Sequence, residues 1–494
     1  MSDHLIQLNK RFRQPIAFDS PGGYSLLPFT FGKLGDNTDL YVLFNLVGEH
    51  IVVPTEVLPE LIEKRLPSSN QYYNELVSKG FILPANQYST LDLLAAKYRT
   101  KRMSLGVGPA LHIFVVTLRC DHSCPYCQVS RVSENREAHD MSLATAELAL
   151  RAVFLTPSAV VKIEFQGGES LLNFELIKYI VTRALEMNES ACKDLEFVAA
   201  TNLSPLTDEI LDFFAEHQVL VSTSIDGPSW LHNKNRPRPG RDSYEREVSG
   251  ISRVRERLGF DKVSALMTTT RTSLDHVTEI IDEYIRLEFD SIFLRWLSPF
   301  GFAVKSQRAI GYPTEEFCKF YERGLRYILE LNKRGVKFRE DYSAIVMKRI
   351  LLPYETGYVD LASPSGIGSS VIVYNYDGDV YASDESRMLA ESNDKTFRLG
   401  NLYTDTYQEL FASDKLKRWM GDTMVEATPM CSDCQFQTIC GTDPVLHHSM
   451  QGDYVGHRPT SAFCQRQMFV MNTLIKILHT EPENAQILRE WAYT

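Results

Sequence analysis

Between about residues 108 and 300 the chain alternates short β-branched or aromatic runs with amphipathic stretches of helical period, which confines this region to repeated βα units on a parallel sheet. Six strands are predicted, at 113–118, 161–165, 196–200, 220–224, 263–268 and 291–296, with helices at 142–155, 174–187, 208–217 and 274–287. The strands run at once into polar or glycine-rich chemistry: a three-cysteine loop, then Gln166-Gly167-Gly168-Glu169, Thr201-Asn202, Asp226-Gly227 and Thr269-Thr270-Arg271. A (β/α) barrel collects its functional groups at such carboxyl ends. The fold class expected is α/β, a partial (β/α)6 barrel whose open side leaves room for a large substrate.

The three-cysteine loop reads Arg119-Cys120-Asp121-His122-Ser123-Cys124-Pro125-Tyr126-Cys127, a CxxxCxxC spacing that can wrap three thiolates around one face of a cubane [4Fe–4S] cluster. A closed cluster takes four protein ligands, so three leave one iron open. That iron can chelate the amino and carboxylate groups of S-adenosylmethionine (SAM) and pass an electron into its sulfonium, a route to radical chemistry on unactivated C–H bonds. A zinc knuckle with His122 as fourth ligand, a disulfide with a spare thiol, and buried structural cysteines are the other readings. In the second loop, paired glycines let backbone approach a ligand closely, and the Glu169 carboxylate can accept from an ammonium group.

Composition narrows the setting. A chain of 494 residues is expected to form two or three domains, and 44% hydrophobic with 23% charged residues is ordinary for a globular protein. A formal charge of −11 argues against nucleic acid, whose binders need a basic stripe. No apolar run approaches a membrane span, and residues 1–14 lack the h-region of a secretory signal, so a cytoplasmic location is expected. Nine cysteines there read as metal ligands rather than disulfides. Seven fall into two clusters, and Cys192 and Cys318 are read as isolated core residues.

With the aromatic Tyr126 before its last cysteine, the loop resembles the signature of the radical SAM superfamily. That resemblance implies SAM contacts from Tyr126, Gln166, Gly167, Gly168 and Glu169, the last at the amino group; most relatives read GGEP where this chain has Ser170. Ser224-Ile225-Asp226-Gly227-Pro228 resembles the fourth-strand motif whose serine contacts SAM in peptide-modifying relatives, which adds Ser224. A strand end plus a turn is its plainer reading. Arg236 and Arg295 are candidate carboxylate or ribose contacts, or else surface ion pairs.

Near the carboxyl terminus, Cys431, Cys434, Cys440 and Cys464 offer four soft ligands, which suit zinc or a fully ligated [4Fe–4S] cluster. Their spacing is similar to the SPASM extension of radical SAM enzymes that modify ribosomally made peptides, and implies an auxiliary cluster. The extension's other cysteine set is missing: Ser383 and Pro444 stand at two of its positions, and no cysteine lies between Cys318 and Cys431. One auxiliary [4Fe–4S] cluster is therefore expected beside the SAM cluster. Asp384 aligns with the aspartate that acts as base toward substrate in sulfatase-maturing relatives; a solvated turn after the hairpin at Asp377-Gly378 is the alternative.

Four domains are expected. Residues 1–105, with strands at 40–45 and 49–54, resemble a winged-helix-like element in which a leader peptide adds a strand to a sheet edge; a plain structural extension is the other reading. Residues 106–304 form the barrel, 305–362 a helical bridge and 363–494 the SPASM-type extension. Nearly the whole chain is similar to the His-Xaa-Ser system radical SAM maturases, on Leu26-Leu27-Pro28-Phe29, the run from Asn375 to Glu385, Cys440-Gly441-Thr442-Asp443-Pro444 and Gly456-His457-Arg458-Pro459. The family implies an enzyme that reductively cleaves SAM and uses the 5′-deoxyadenosyl radical on a ribosomally made precursor peptide carrying His-Xaa-Ser repeats. Flavodoxin or ferredoxin would supply electrons, and a second radical SAM protein would be a partner. The alternatives are a formylglycine-forming sulfatase maturase and a non-catalytic Fe–S or zinc peptide-binding scaffold.

Overall fold

The computed structural model describes residues 23–35, 38–85, 87, 89–127 and 136–493; residues 1–14, read above as lacking a signal h-region, lie outside them. The chain divides into two units. The first takes in residues 1–102, 349–354 and 433–439. Its strands β1 (Phe29–Lys33), β2 (Leu40–Asn45) and β3 (His50–Pro54) form an antiparallel sheet with β2 in the centre. Leu43, Ile51 and Val53 leave water against Leu58 and Leu61 of the following helix and against Phe81, each such side chain contributing about 1.5–3 kcal/mol. Segment 433–439 folds with this sheet. Phe436 meets Phe44 edge-on at 6.1 Å, and the Gln435 side chain occupies the space over Gly32, 2.5 Å from where a Cβ would stand. Cys434 is thus carried by the first unit.

The second unit is built on an eight-stranded sheet. Its strands are β4 (Leu111–Thr117), β5 (Val160–Gly167), β6 (Asp194–Ala200), β7 (Leu220–Ser224), β8 (Val263–Leu266), β9 (Val371–Tyr374), β10 (Asp379–Tyr381) and β11 (Arg398–Asn401), in the order β8-β7-β6-β5-β4-β9-β10-β11. Pairing is parallel from β8 through to β9 and antiparallel beyond it. The helices named below are α1 (Leu143–Phe154), α2 (Phe174–Ala191), α3 (Asp208–Glu216), α4 (Ser229–Asn235), α5 (Ser243–Leu258), α6 (Val277–Arg286), α7 (Asp384–Ala390), α8 (Pro444–Gln451) and α9 (Ala462–Thr480). Local chemistry starts several of them. The Ser142 hydroxyl accepts the Thr145 N–H (3.1 Å) at α1, and Thr207 accepts the Ile210 N–H (3.3 Å) at α3. The inner strands bury Phe114, Phe165 and Phe197, which seats the helices on the sheet.

This is the α/β fold expected, with five of the six predicted strands hydrogen-bonded side by side. The sixth differs in detail. Only Ser291–Ile292 pairs, in parallel with Arg339–Glu340, while the continuation runs beside the end of β8, where Thr269 N–H donates to the Arg295 carbonyl at 3.0 Å. Side chains take two backbone donors of this stretch: Glu340 accepts from Leu294 N–H (3.2 Å) and Tyr312 from Leu297 N–H (2.8 Å). The hairpin at Asp377-Gly378 forms as expected, with Gly378 at φ 87°, but its first strand also extends the parallel sheet at β4. Cys318 is buried, as read from the sequence; Cys192 is not, because it is the exposed left-handed cap that ends α2 (φ 52°). Among the described residues no helix is long and apolar enough to cross a membrane.

Candidate active site

The root of the three-cysteine loop is fixed before the first sulfur. Arg119, 6% exposed, forms a fork with Asp140 (2.7 and 2.8 Å) and donates to the Leu172 carbonyl (2.7 Å), while the Thr117 hydroxyl donates to the same aspartate (2.6 Å). The neighbouring β5 end runs into this root. Gly168 N–H donates to the Thr117 carbonyl (2.9 Å) and Glu169 N–H to that of Arg119 (2.7 Å). A Cβ on Gly167 (φ 150°) would stand 1.9 Å from the Thr117 oxygen, and one on Gly168 would stand 2.3 Å from that of Arg119. The glycine pair thus answers the crowding of two backbones where the sheet delivers the cysteine loop, a requirement that precedes any ligand.

Cys120, Cys124, Tyr126, Cys127, Gln166, Gly167, Gly168, Ser224 and Asp384 line one cavity of about 250 Å³. Glu169, 1% exposed, stands behind that wall. Its carboxylate accepts from Leu171 N–H (3.0 Å), the Thr201 hydroxyl (2.6 Å) and Asn202 N–H (2.7 Å), stapling the β6 end to the glycine turn. Burial, against those bonds, pushes its pKa up to about 7. Ser170 donates to the Ala200 carbonyl (2.7 Å) and closes the same junction. Cys431, Cys440 and Cys464, in the second unit, do not line the cavity.

A second strap crosses the loop from the segment after α4. The Pro237 carbonyl accepts Ser123 N–H (2.7 Å), Arg238 pairs with Asp121 (3.4 Å), and Arg236 pairs with Asp226 (3.3 Å) while lying 5.4 Å from the centre of the Tyr126 ring. Asp226 is fully buried, takes a hydrogen bond from the Tyr126 hydroxyl and accepts Thr268 N–H (3.1 Å). Asp226-Gly227-Pro228 therefore does more than turn the chain. Asp226→Ala is expected to cost about 3–5 kcal/mol, because Arg236 would be left charged and unpaired in the interior, and a lowered urea midpoint at constant slope is the measurement.

The chemistry of the donor set separates the readings of the loop. Cys120 Sγ, an Asp121 oxygen and a His122 nitrogen lie within 4.8 Å of one another, a spacing zinc could use. Yet His122 is 3% exposed with both ring nitrogens engaged: Nδ1 stands 2.7 Å from Asp121 and 2.8 Å from Asn202, and Nε2 stands 2.8 Å from Ser243, which is 3.0 Å from His232. All three cysteines are free, so the described loop offers three sulfurs and no spare imidazole. Burial pushes Cys124 up to about 12 against the pull of Arg236, and burial with the Glu169 charge raises Cys120. Sulfurs so placed become thiolates when a metal binds them. The residues fit a cluster with one iron lacking a protein ligand.

Glu164, Arg295, Asp384 and Met388 also line the cavity. Glu164 accepts from Gln166 (2.7 Å), and burial, with Asp384 nearby, raises its pKa. Asp360, Glu385 and Asp443 near Asp384 are all raised by burial; the Asp384 charge adds to this in each, with Asp443 acting on Asp360 as well and both Asp360 and Asp443 acting on Glu385. Ser383 and Ser386 cap α7 reciprocally, which holds Asp384 at the cavity. The sequence reading missed Glu164, Asp226's partners and Arg238. For Glu164 a signal existed: Lys162, Glu164 and Gln166 alternate with apolar Val161, Ile163 and Phe165, an unusual polar face for a central strand.

Residues 114–284 match the family model of the radical SAM superfamily. The cysteine-type anaerobic sulfatase-maturating enzyme of Clostridium perfringens (strain 13 / Type A) is 25% identical over 331 residues, 65% of this chain and 84% of that one. Two solved structures are similar in fold. Native anSMEcpe with bound AdoMet has a TM-score of 0.62 at 18% identity, covering 77% of this chain and 99% of that one. Streptococcus suis SuiB bound to precursor peptide SuiA has 0.52 at 14%, covering 90% and 100%. The cysteine loop, the parallel sheet and the matched segment together make this chain an enzyme of radical chemistry. It carries a radical SAM domain, and its cofactors are a [4Fe–4S] cluster and SAM.

Proposed function

We propose that this enzyme modifies a ribosomally made precursor peptide carrying His-Xaa-Ser repeats, with Asp384 as its base. One observation carries the reading: Asp384, at the start of α7 in the carboxyl-terminal extension, lines the same cavity as Cys120, Cys124 and Cys127. When bound, the cluster and SAM supply a 5′-deoxyadenosyl radical that takes a hydrogen atom from the substrate. In this reading Cys120, Cys124 and Cys127 hold the iron, Tyr126, Gln166, Gly167, Gly168 and Ser224 line the SAM pocket, and Glu169 locks that pocket's wall. Asp384 Oδ accepts the proton released as the substrate carbon radical is oxidised, and the auxiliary [4Fe–4S] cluster, when bound, would take the electron lost in that step. Residues 1–105 recognise the leader peptide, 305–362 bridge, and 363–494 supply Cys431, Cys434, Cys440 and Cys464 as ligands of one auxiliary [4Fe–4S] cluster. Flavodoxin or ferredoxin delivers electrons, and a second radical SAM protein acts alongside. The name of SuiB's bound partner, a precursor peptide, supports a peptide substrate.

The test is anaerobic reconstitution with SAM, a reductant and a His-Xaa-Ser repeat peptide, reading 5′-deoxyadenosine and the peptide's mass. Asp384→Asn is expected to lower modified peptide about 10²-fold while 5′-deoxyadenosine still forms. Equal loss of both products would remove the base role, and no SAM cleavage with or without peptide would leave a binding scaffold. The sulfatase-maturating relatives support a second reading, formylglycine formation. Conversion of a sulfatase-derived peptide in preference to the repeat peptide would select it.

A further inference from the structure

The run Gly456-His457-Arg458-Pro459 has no part in the cavity, and the structure gives it a partner. Arg458 is 6% exposed, and its Nε–H donates to the Cys431 sulfur at 3.0 Å. Its Nη1 lies 3.1 Å from both ring nitrogens of His447, a residue of α8 that is 2% exposed. His447 Nε2 is 2.8 Å from the Ser461 hydroxyl, and that hydroxyl accepts Cys464 N–H (3.1 Å) as the cap of α9. One chain of contacts therefore links Cys431 to Cys464 through a buried guanidinium. Gly456 (φ 81°) packs on the same imidazole, where a Cβ would stand 2.5 Å from the ring, so the turn that aims Arg458 is itself held in place. Burial and the arginine push His447 down to about 4, which leaves a neutral ring able to accept from Arg458.

We propose that Arg458 is a positioning residue of the auxiliary cluster: it fixes Cys431 relative to Cys464 and, by placing a buried positive charge and an N–H bond on a ligand sulfur, raises the cluster's reduction potential. The proposal rests on the reading of Cys431, Cys434, Cys440 and Cys464 as ligands of that cluster. Reduction adds a negative charge to the cluster, so a cation held in a low-dielectric environment favours the reduced state. Hydrogen bonds to cluster sulfurs act in the same direction. Arg458, Cys431 and His447 all lie outside the lining of the SAM cavity, so the SAM cluster in the same molecule serves as an internal reference.

The experiment is a redox titration of the full-length reconstituted protein, followed by electron paramagnetic resonance, on the wild type, Arg458→Met and His447→Gln. Two clusters amount to about eight irons per chain; about four in the wild type would overturn the auxiliary reading and this role with it. With both clusters present, Arg458→Met is expected to weaken reduction of the auxiliary cluster about tenfold, a shift of about 59 mV to lower potential for a one-electron couple, with the SAM cluster unmoved. His447→Gln, whose bonds go to Arg458 and Ser461, is expected to shift it the same way by less. A wild-type auxiliary potential in Arg458→Met overturns the proposal. If that variant loses auxiliary iron, His447→Gln decides: an unchanged potential there overturns the proposal and a lowered one supports it.

Discussion

A variant with Cys120, Cys124 and Cys127 all replaced by alanine is expected to form no measurable 5′-deoxyadenosine and to lose the iron of the SAM cluster, while the rest of the chain folds. The three sulfurs are half-buried, free of disulfides, and grouped on one cavity. The loop loses the His122 N–H bond to Cys120 Sγ (3.4 Å) but keeps ties that involve no sulfur: Arg119 is locked to Asp140, Ser123 to Pro237 and Asp121 to Arg238. Removal of sulfur therefore acts on metal binding and spares the scaffold, so the loss in SAM cleavage reaches the limit of detection with little change in the far-ultraviolet circular dichroism. Iron analysis separates the two sets, since about half the iron should remain if the carboxyl-terminal cysteines hold their own cluster. Retention of SAM cleavage in this variant would remove the whole account of the cavity.

Gly168→Ala is expected to be nearly as damaging with every cysteine in place. The added methyl would lie 2.3 Å from the Arg119 carbonyl oxygen and 2.6 Å from that of Leu118, and both are backbone atoms that no rotamer change can move. Either the β5 end must lift away, breaking the bonds from Gly168 to Thr117 and from Glu169 to Arg119, or the root of the cysteine loop must shift. Overpacking of this kind costs about 3 kcal/mol, and a displacement of even about 1 Å in the loop separates its thiols from the positions a cubane requires. The expected signature is a fall in iron incorporation together with a lowered urea midpoint. Full iron loading at wild-type stability would mean that the turn yields, and that the glycine serves the ligand alone.

The sulfur chemistry was legible in the sequence because its spacing is local: Cys120, Cys124 and Cys127 sit in one turn, and their strand announces itself by β-branched residues. The parallel strands were legible for the same reason. What was hidden depends on partners distant along the chain. The motif around Asp226 pointed to its serine as a SAM contact or to a plain turn, and only the fold shows Asp226 itself buried against Arg236 and Tyr126. The stretch around Arg295 looked like a full strand, but Glu340 and Tyr312 take the Leu294 and Leu297 N–H groups, a competition that periodicity cannot register. The glycine pair was read as room for a ligand, whereas the nearest obstruction is the chain's own backbone. Cys192 passed for a core residue because composition says nothing of a left-handed helix end.

Strand β9 pairs in parallel with β4, Val371 opposite Leu111 and Tyr374 opposite Phe114. The cysteine loop leaves one of these strands, and the hairpin leading to Asp384 leaves the other. Iron ligands and acid are consequently set by a single ladder of amide bonds, like two teeth cut on one comb. The tail of this enzyme cannot be exchanged as a cartridge between relatives: a graft must preserve the rung-by-rung match of the two strands, or the distance between oxidant and base changes with it.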